Sequence, residues 1–346
     1  MNLPFSEILN LTTKKAMSID KSIIYFGLGV TDPKGIFGTT LGLEKKFGKK
    51  RVFDVPASEN ALTGFALGSS LNGLKPILVH QRADFALLSL DQIINGAAKW
   101  MYMFGGTQNV PITIRMIIGR GWGQGPTHSQ NLHSIFAHIP GLKVVVPSLA
   151  SDVSHLFYSS ILDPNPVIFL EHRWLHNSLG RMPKNLKRNE LEKCKIVKKG
   201  KDITIVSLSY MLVECLEAAK ILDKEGISLE VIDVRTVNPL DINTIVESTK
   251  KTKRVLIVDI SNQVCGFSPS LFKEILNKNK KLKILPEIIS MPFAPEPTSY
   301  GLTKYFYNDR YDVVNKILDM LKVKKKINRV KLGHHDVPGE WFKGPF

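Results

Sequence analysis

Cysteine is scarce in this chain, with three in 346 residues, at the distant positions Cys194, Cys215 and Cys265. No two of them have the CxxC spacing of zinc sites and redox pairs, so the sequence predicts neither a disulfide framework nor a zinc centre and is typical of a reducing cytoplasm. Long apolar runs are missing as well, since none approaches the ~18 residues that read as a membrane span. The first residues show no basic start followed by an apolar core, so no signal peptide is expected.

Acidic residues are few relative to basic ones, 31 against 47, and the formal net charge is +16. Such an excess can indicate an acidic partner or nucleic acid, or a lysine-rich soluble surface. The denser basic runs, residues 184–201 and 322–331, are not interleaved with aromatic residues as a nucleic-acid platform would be. We therefore favour the surface interpretation and expect neither a nucleic-acid nor a membrane partner.

Strand-like and helix-like segments alternate along the first half of the chain. Apolar runs predict strands at residues 21–27, 76–80, 110–118, 142–147 and 167–171, and three other segments show the spacing of helices. The helical segments are residues 61–72, 90–103 and 151–162. This order favours a parallel sheet with helices on both faces.

A second alternating series occupies residues 202–277, after a stretch rich in Lys, Arg, Asn and Pro. The sequence therefore predicts an α/β fold of two domains, each a mostly parallel sheet flanked by helices. We place the first domain at residues 1–177, a basic linker at 178–200, the second domain at 201–322 and a basic tail at 323–346.

Chemistry-bearing side chains are concentrated in residues 53–85. Glu59 follows an extended run and precedes a helix of small residues, while Gln81 and Phe85 follow the next strand. A carboxylate in the first turn of a helix is favoured by the helix dipole alone, and Gln81 and Phe85 could be ordinary packing residues. The same layout can also hold a flat heteroaromatic ring edge-on to an acid and face-on to an aromatic side chain.

Several blocks of the sequence match one family in the same order. In the first half they are RVFDVPASEN, GLKPILVHQRADF, LDQIINGAAKWMYMFGG, NVPITIR, GPTHSQ, AHIPGLKVVVPS and ILDPNPVIFLEH; in the second half the match is fainter and rests on VIDVRTVNPLD, LIVDI and MPFAP. The chain resembles the β subunits of thiamine diphosphate-dependent 2-oxoacid dehydrogenases, which act on pyruvate, branched-chain 2-oxoacids or acetoin. The resemblance implies a transketolase-like pyrimidine-binding domain followed by a transketolase C-terminal-like domain.

The resemblance also implies roles for individual residues. Glu59 would hydrogen-bond the ring nitrogen of the aminopyrimidine of thiamine diphosphate, where a proton must move on and off. Phe85 would pack on the pyrimidine face, and Ala57 and Gln81 would complete that pocket. His128, in a glycine-rich loop, would point towards the reacting carbon as an acid–base or orienting group. Alternatively, His128 only caps backbone groups of its loop.

A potassium site is a second implication of the resemblance, because the family holds this ion on main-chain oxygens after a helix. The matching positions are Ile112, Ser160, Ile161, Asp163 and Asn165. Oxygen ligands suit a hard cation. An ordinary DPNP turn without an ion is an equally weighted alternative.

The family's GDG motif with its downstream Asn, which holds Mg²⁺ and the diphosphate, does not occur in the sequence. The resemblance therefore implies that an α subunit supplies the magnesium site in an α2β2 assembly acting on a small 2-oxoacid. Leu28 stands where the family usually has an acid. In the family that acid belongs to a chain of carboxylates that carries protons between paired active sites, so the resemblance implies that this chain lacks one of them.

Three functions remain open at this point. The first is a dehydrogenase β subunit whose assembly passes an acyl group to the lipoamide of an acyltransferase. The chain's positive charge fits poorly with docking on a basic subunit-binding domain, which leaves room for a two-chain decarboxylase or carboligase without a lipoyl partner. The third is a non-catalytic scaffold, against which the joint presence of Glu59, Phe85 and His128 argues.

Overall fold

The computed structural model describes residues 2–120, 123–188, 190–330 and Phe342. The elements of its first part are β1 (Asn2–Pro4), α1 (Phe5–Ile19), β2 (Ile23–Gly27), α2 (Leu43–Phe47), β3 (Val52–Phe53), α3 (Glu59–Leu71), β4 (Lys75–His80), α4 (Ala83–Ala86), α5 (Ala98–Met103), β5 (Thr113–Ile118), α6 (His133–Ala137), β6 (Lys143–Val145), α7 (Ala150–Ile161), β7 (Val167–His172) and β8 (Leu179–Arg181). The second part contains β9 (Lys195–Lys198), β10 (Ile203–Ser207), α8 (Ser209–Asp223), β11 (Leu229–Asp233), β12 (Thr236–Asn238), α9 (Ile242–Thr252), β13 (Val255–Asn262), α10 (Phe267–Lys278), β14 (Glu287–Met291), α11 (Tyr300–Phe306) and α12 (Arg310–Met320).

The first sheet has seven strands in the order β12-β6-β7-β5-β4-β2-β3. Its strands run parallel except β12, which pairs antiparallel with β6. Strands β2, β5 and β7 are buried along their whole length, because helices cover both faces of a parallel sheet and leave no polar face. The predicted fold class is confirmed.

The order of these strands determines where a ligand can bind. From β2 the chain crosses to β3 on one side and then returns to β4 on the other side. Crossovers that leave in opposite directions open a crevice at the carboxyl ends of the two strands, which is where open α/β sheets bind ligands. The segments after β2, β3, β4 and β5 all meet at this edge.

The second sheet has the order β14-β13-β10-β11-β9, with β9 as an antiparallel edge strand. Strands β8 and β9 both lie in the range predicted as a linker without regular structure. The periodicity was too weak to reveal them, because both are short edge strands whose side chains are partly exposed. Lysines at both ends of β9 fit a strand with one unpaired edge.

Two further sequence expectations differ from the structure. The helix predicted over residues 90–103 contains a π-helical turn at Gln92–Ala97 before α5. The beginning of the predicted basic tail is bound to the second domain, since Asn315 and the main chain of Ile327 exchange two hydrogen bonds of 2.9 Å. The remainder of that tail, residues 331–341 and 343–346, lies outside the described residues.

Buried polar contacts join the two sheets. The Ser148 hydroxyl, after β6, donates to Asp233 Oδ1 at the end of β11 (2.7 Å). His133 Nε2, at the start of α6, lies 3.1 Å from Asp259 Oδ1 on β13, and both side chains are fully buried. Among the described residues, no helix combines the length and apolarity that crossing a bilayer would need.

Candidate active site

The segment after β4 contacts two other parts of the sheet edge, the turn after β2 and the loop after β5. Gln81 Nε2 donates to the carbonyl oxygen of Leu28 (2.7 Å), in the turn after β2. Gly29 follows with φ +77°, and a Cβ there would lie 2.1 Å from Gln81 Nε2. Only glycine therefore permits this close approach of the two segments, and the bond spans the crevice between β2 and β4.

The same segment holds the loop after β5, which contains His128. We call residues 119–130 the histidine loop; positions 121 and 122 lie outside the described part. Asp84 Oδ1 accepts hydrogen bonds from the side chain and main chain of Gln130 (2.8 and 3.4 Å). The rings of Phe85 and His128 meet edge to face, with centroids 5.2 Å apart and an interplanar angle of 88°. The structure thus brings Phe85 and His128 into contact, and Gln81 precedes Phe85 by four residues in the same segment.

His128 is half-buried and carries local hydrogen bonds. Its Nδ1 lies 3.0 Å from the hydroxyl oxygen of Thr127, and its main-chain N–H donates to the carbonyl of Gly125 (3.3 Å). Nε2 is thereby left as the nitrogen that can face a ligand. This geometry is compatible with acid–base work and also contains the loop-capping contacts of the alternative interpretation.

Glu59 lies on the other side of the crevice, at the first position of α3 after β3. It is half-buried, and no hydrogen-bond partner of its carboxylate is found among the described residues. The preceding turn is fixed by Asp54, which accepts the N–H groups of Gly29 (3.0 Å) and Thr31 (3.3 Å). Ala57, between Asp54 and Glu59, is exposed. A half-buried carboxylate without a protein partner suits a ligand N–H, so the side chains present fit an aminopyrimidine.

Basic side chains line the carboxyl ends of β4 and β7. Burial, partly opposed by the charge of Asp84, lowers the pKa of Arg82 to about 10. Burial together with the charge of Arg82 likewise lowers the pKa of Arg173 to about 10. Burial and nearby arginines hold the pKa of His172 well below its ordinary value, so this histidine is neutral and accepts the N–H of Trp174 at Nδ1 (3.1 Å).

The second domain contributes a wall to the same region. A cavity of about 530 Å³ is bounded by the histidine loop at Pro126 and Gln130 and by the segment after β14 from Met291 to Glu296. Burial, with the charge of Asp84, raises the pKa of the Glu296 carboxyl. This cavity therefore lies between the histidine loop and the second domain.

The predicted potassium positions also converge, around the turn between α7 and β7. The carbonyl oxygen of Ser160 accepts the Thr113 hydroxyl (3.0 Å), and that of Ile112 accepts the Val167 N–H (2.9 Å). Asp163 binds the Asn165 N–H through Oδ1 (2.9 Å) and the Lys143 ammonium through Oδ2 (2.8 Å). The side-chain oxygen of Asn165 is buried, with no hydrogen-bond partner among the residues that the structure describes. Main-chain oxygens of Ile112, Ser160 and Ile161 with this free acceptor fit a hard cation, and occupancy stays a prediction.

Sequence analysis missed the residues that hold the site together. Arg82 and Asp84 belong to the block GLKPILVHQRADF, and Gln130 ends the block GPTHSQ, yet the sequence analysis gave none of them a role. Polar side chains immediately after a buried strand are the signal that could have identified them. The wall from the second domain had no such signal, because residues 291–296 are mostly proline and apolar residues.

Comparisons with known proteins agree with this geometry. Residues 2–177 match the family model "Transketolase, pyrimidine binding domain", and residues 192–312 match "Transketolase, C-terminal domain". A pyruvate dehydrogenase E1 component subunit beta from Rickettsia bellii is 35% identical over 94% of this chain and 100% of its own length. An acetoin:2,6-dichlorophenolindophenol oxidoreductase subunit beta from Cupriavidus necator is 37% identical over 84% of this chain and 89% of its own length.

A solved structure is similar in fold. A split-gene transketolase, described as an inactive β4 tetramer, superposes with a TM-score of 0.73 at 21% identity, covering 93% of this chain and 99% of its own. The two domains in this order, with the carboxylate and aromatic pair at the sheet edge, define a transketolase-like subunit. The chain belongs to the family of transketolase-like β subunits of thiamine diphosphate-dependent 2-oxoacid dehydrogenases.

Proposed function

We propose that this chain supplies one side of a shared active site that decarboxylates a 2-oxoacid and passes the acyl group to lipoamide. One observation carries the proposal: Phe85 and His128 meet edge to face (5.2 Å) at the sheet edge where Glu59 has its half-buried carboxylate. The relatives that are pyruvate dehydrogenase and acetoin oxidoreductase β subunits support this class of substrate.

Each of the three side chains has a distinct task in this proposal. Thiamine diphosphate, when bound, supplies the electron sink for breaking the bond to the carboxylate carbon. Glu59 would hold the proton at the ring nitrogen of the aminopyrimidine and release it again, as a positioned carboxyl group can. Phe85 would pack on the ring face, with Gln81 and Ala57 beside it.

His128 would face the substrate rather than the pyrimidine. Its contact with Phe85 fixes the imidazole at the edge of the ring pocket, and Thr127 restrains Nδ1. Nε2 would then orient the 2-oxoacid or exchange a proton with it, since a histidine can change charge near neutral pH.

A partner must complete the site. This chain has no GDG motif to hold the diphosphate and Mg²⁺, and Mg²⁺ requires carboxylate or amide oxygens together with phosphate oxygens. An α subunit carrying that motif would bind over the crevice, giving an α2β2 assembly. Potassium would be structural, on the turn between α7 and β7.

The proposal is tested by co-expressing this chain with a candidate α subunit and measuring 2-oxoacid-dependent ferricyanide reduction with thiamine diphosphate and Mg²⁺. Glu59→Gln should lose about 100-fold or more in kcat, within the usual range for a general acid–base group. Glu7→Gln is the matched control, because Glu7 is an exposed carboxylate in the first turn of α1. It should leave kcat unchanged.

The outcomes separate the candidate functions. Activity in the complex, absent from this chain alone and lost in Glu59→Gln, would support the shared site. Reductive acylation of an added lipoyl domain would support the dehydrogenase, while carbon dioxide release without acylation would indicate the decarboxylase or carboligase. A stable complex that binds the cofactor but consumes no pyruvate, branched-chain 2-oxoacid or acetoin would refute the proposal.

A further inference from the structure

Arg82 bridges two separated points of the histidine loop. The side chain is only 4% exposed. Its Nη1 donates to the carbonyl oxygen of Gly119 (3.1 Å), where the loop begins, and its Nη2 donates to the side-chain oxygen Oε1 of Gln124. A single planar guanidinium therefore fixes the spacing between these two points.

Among the described residues, further hydrogen bonds hold the loop at its two ends. The Gly119 N–H donates to the Gln130 carbonyl (3.3 Å), which closes the loop, and Gln130 is held in turn by Asp84. His128 lies between the Gln124 and Gln130 anchors. The loop is rich in glycine, which loses more conformational freedom on ordering than other residues. The contact of Arg82 with Gln124 therefore restrains the described part of the loop that precedes His128.

We propose that Arg82 is a positioning residue that holds the histidine loop so that His128 stays against Phe85. This inference rests on the role of His128 in the proposed function, but its structural part concerns the loop alone. Arg82 immediately follows Gln81 and precedes Phe85 by three residues. The same short segment thus shapes the pyrimidine pocket and places the histidine above it.

The geometry distinguishes bridging from a general effect of positive charge. Arginine presents several donors in a fixed plane and can reach two acceptors at once, whereas lysine is a point charge on a flexible stem. If Arg82 acted by attracting an anionic substrate, the Arg82→Lys variant would retain most of the activity. If it acts by bridging, Arg82→Lys should resemble Arg82→Gln.

The first measurement is amide hydrogen exchange of the full-length chain, read for the peptides covering the histidine loop. Losing a hydrogen bond to a charged group should speed exchange of the loop amides about 10- to 100-fold, in both Arg82→Gln and Arg82→Lys. Arg51→Gln is the matched control, because Arg51 also binds main-chain carbonyls, those of Ile23, Met17 and Asp20. It should leave exchange of the histidine loop unchanged.

The second measurement is kinetic and uses the complex with the α subunit. Arg82→Gln and Arg82→Lys should lower kcat by up to about 100-fold, the loss expected when a catalytic group is misplaced by about 1 Å. KM should change little, and the pH–rate profile of the complex should shift. Gln124→Ala should reproduce part of the loss, whereas Gln124→Glu should retain activity because a carboxylate also accepts from the guanidinium.

Failure of this inference is distinguishable from failure of the proposed function. Wild-type exchange in the loop of Arg82→Gln, or wild-type activity in Arg82→Lys, would overturn the positioning role. A wild-type complex inactive on every 2-oxoacid, with loop exchange that still responds to Arg82, would instead overturn the proposed function. Glu59→Gln should abolish activity without changing loop exchange.

Discussion

Asp233 gives this protein a pH-dependent stability that one substitution should remove. The carboxyl group is fully buried at the end of β11 and accepts the Ser148 hydroxyl from the first domain (2.7 Å). Its second oxygen, Oδ2, is buried and has no hydrogen-bond partner within the described part of the chain. Burial, opposed by the Ser148 hydrogen bond and assisted by the charge of Asp152, raises the pKa of Asp233 to about 7.

The direction in which pH changes the free energy of unfolding follows from the pKa of Asp233 in the folded and in the unfolded chain. The ordinary pKa is 3.8, so between about pH 4 and pH 7 the folded protein keeps a proton that the unfolded chain has lost. Within this window the free energy of unfolding falls by about 1.4 kcal/mol for each pH unit. The stabilisation is complete below the unfolded pKa and is lost as the pH rises through 7. From pH 5 to pH 8 the expected loss is about 3 kcal/mol.

Asp233→Asn is the informative variant. Its amide oxygen can still accept from Ser148, and the side chain titrates in neither state. The free energy of unfolding is measured by urea denaturation of the full chain, followed by circular dichroism at pH 5 and pH 8. The difference between variant and wild type should grow in favour of the variant by about 3 kcal/mol across this range.

A surface carboxylate provides the comparison. Asp223 is 45% exposed and lies 3.0 Å from Lys198 Nζ. The variant Asp223→Asn should change the free energy of unfolding by less than about 1 kcal/mol at either pH. If Asp233→Asn differed from wild type by the same amount at pH 5 and pH 8, the buried carboxyl would not be protonated in the folded state and the reasoning would be refuted.

Three further predictions concern the domain contact, the loop and the cation. His133→Ala should lower the free energy of unfolding by about 3–5 kcal/mol, because it removes the imidazole that lies 3.1 Å from the fully buried Asp259 carboxylate and leaves that carboxylate with its contacts to Ser261. Urea denaturation measures this, and a loss below about 1 kcal/mol would contradict it. Gly119→Ala should cut the activity of the complex by up to about 100-fold, because a Cβ at φ +75° would lie 2.0 Å from His172 Nε2. Gly73→Ala, at φ +87° with no atom within 4 Å of its Cβ, should cost only backbone strain and leave kcat unchanged. If K⁺ is bound, exchanging it for N-methylglucamine should lower the melting temperature. At a K⁺ concentration of a hundred times Kd, the bound ion would contribute about 2.7 kcal/mol to the free energy of unfolding. An unchanged melting temperature would argue for the turn without an ion.

The sheet could be predicted because its strands are local properties of the sequence, while the candidate site residues came from the ordered blocks that resemble a family. Buried parallel strands such as Thr113–Ile118 are continuous apolar runs, and Phe85 and His128 each belong to a block with a recognisable order. The convergence of these blocks follows from the parallel sheet itself, since the carboxyl ends of its strands share one edge. The contact of Phe85 with His128 lies at this edge, and the roles of both side chains stay predictions.

What holds those side chains in place depends on contacts across the fold. The partners of Arg82 are a carbonyl at Gly119 and an amide at Gln124, 37 and 42 residues away. A main-chain carbonyl has the same chemistry at every residue, so no pattern of letters marks it as a partner. The edge strands β8 and β9 were missed for a related reason, because their pairing rather than their apolar content defines them.

Leu28 is a further residue whose structural role depends on its main chain and not on its side chain. Its side chain is 44% exposed and supplies no carboxylate, yet its carbonyl oxygen accepts the Gln81 side chain across the crevice (2.7 Å). Any residue at position 28 would offer that carbonyl, so a leucine holds Gln81 as well as an acid would. Asp54 belongs to the same hydrogen-bond network, where it is bound to the N–H groups of Gly29 and Thr31. Leu28 therefore contributes no proton-carrying group at this edge, while the hydrogen bond that holds Gln81 depends only on the main chain.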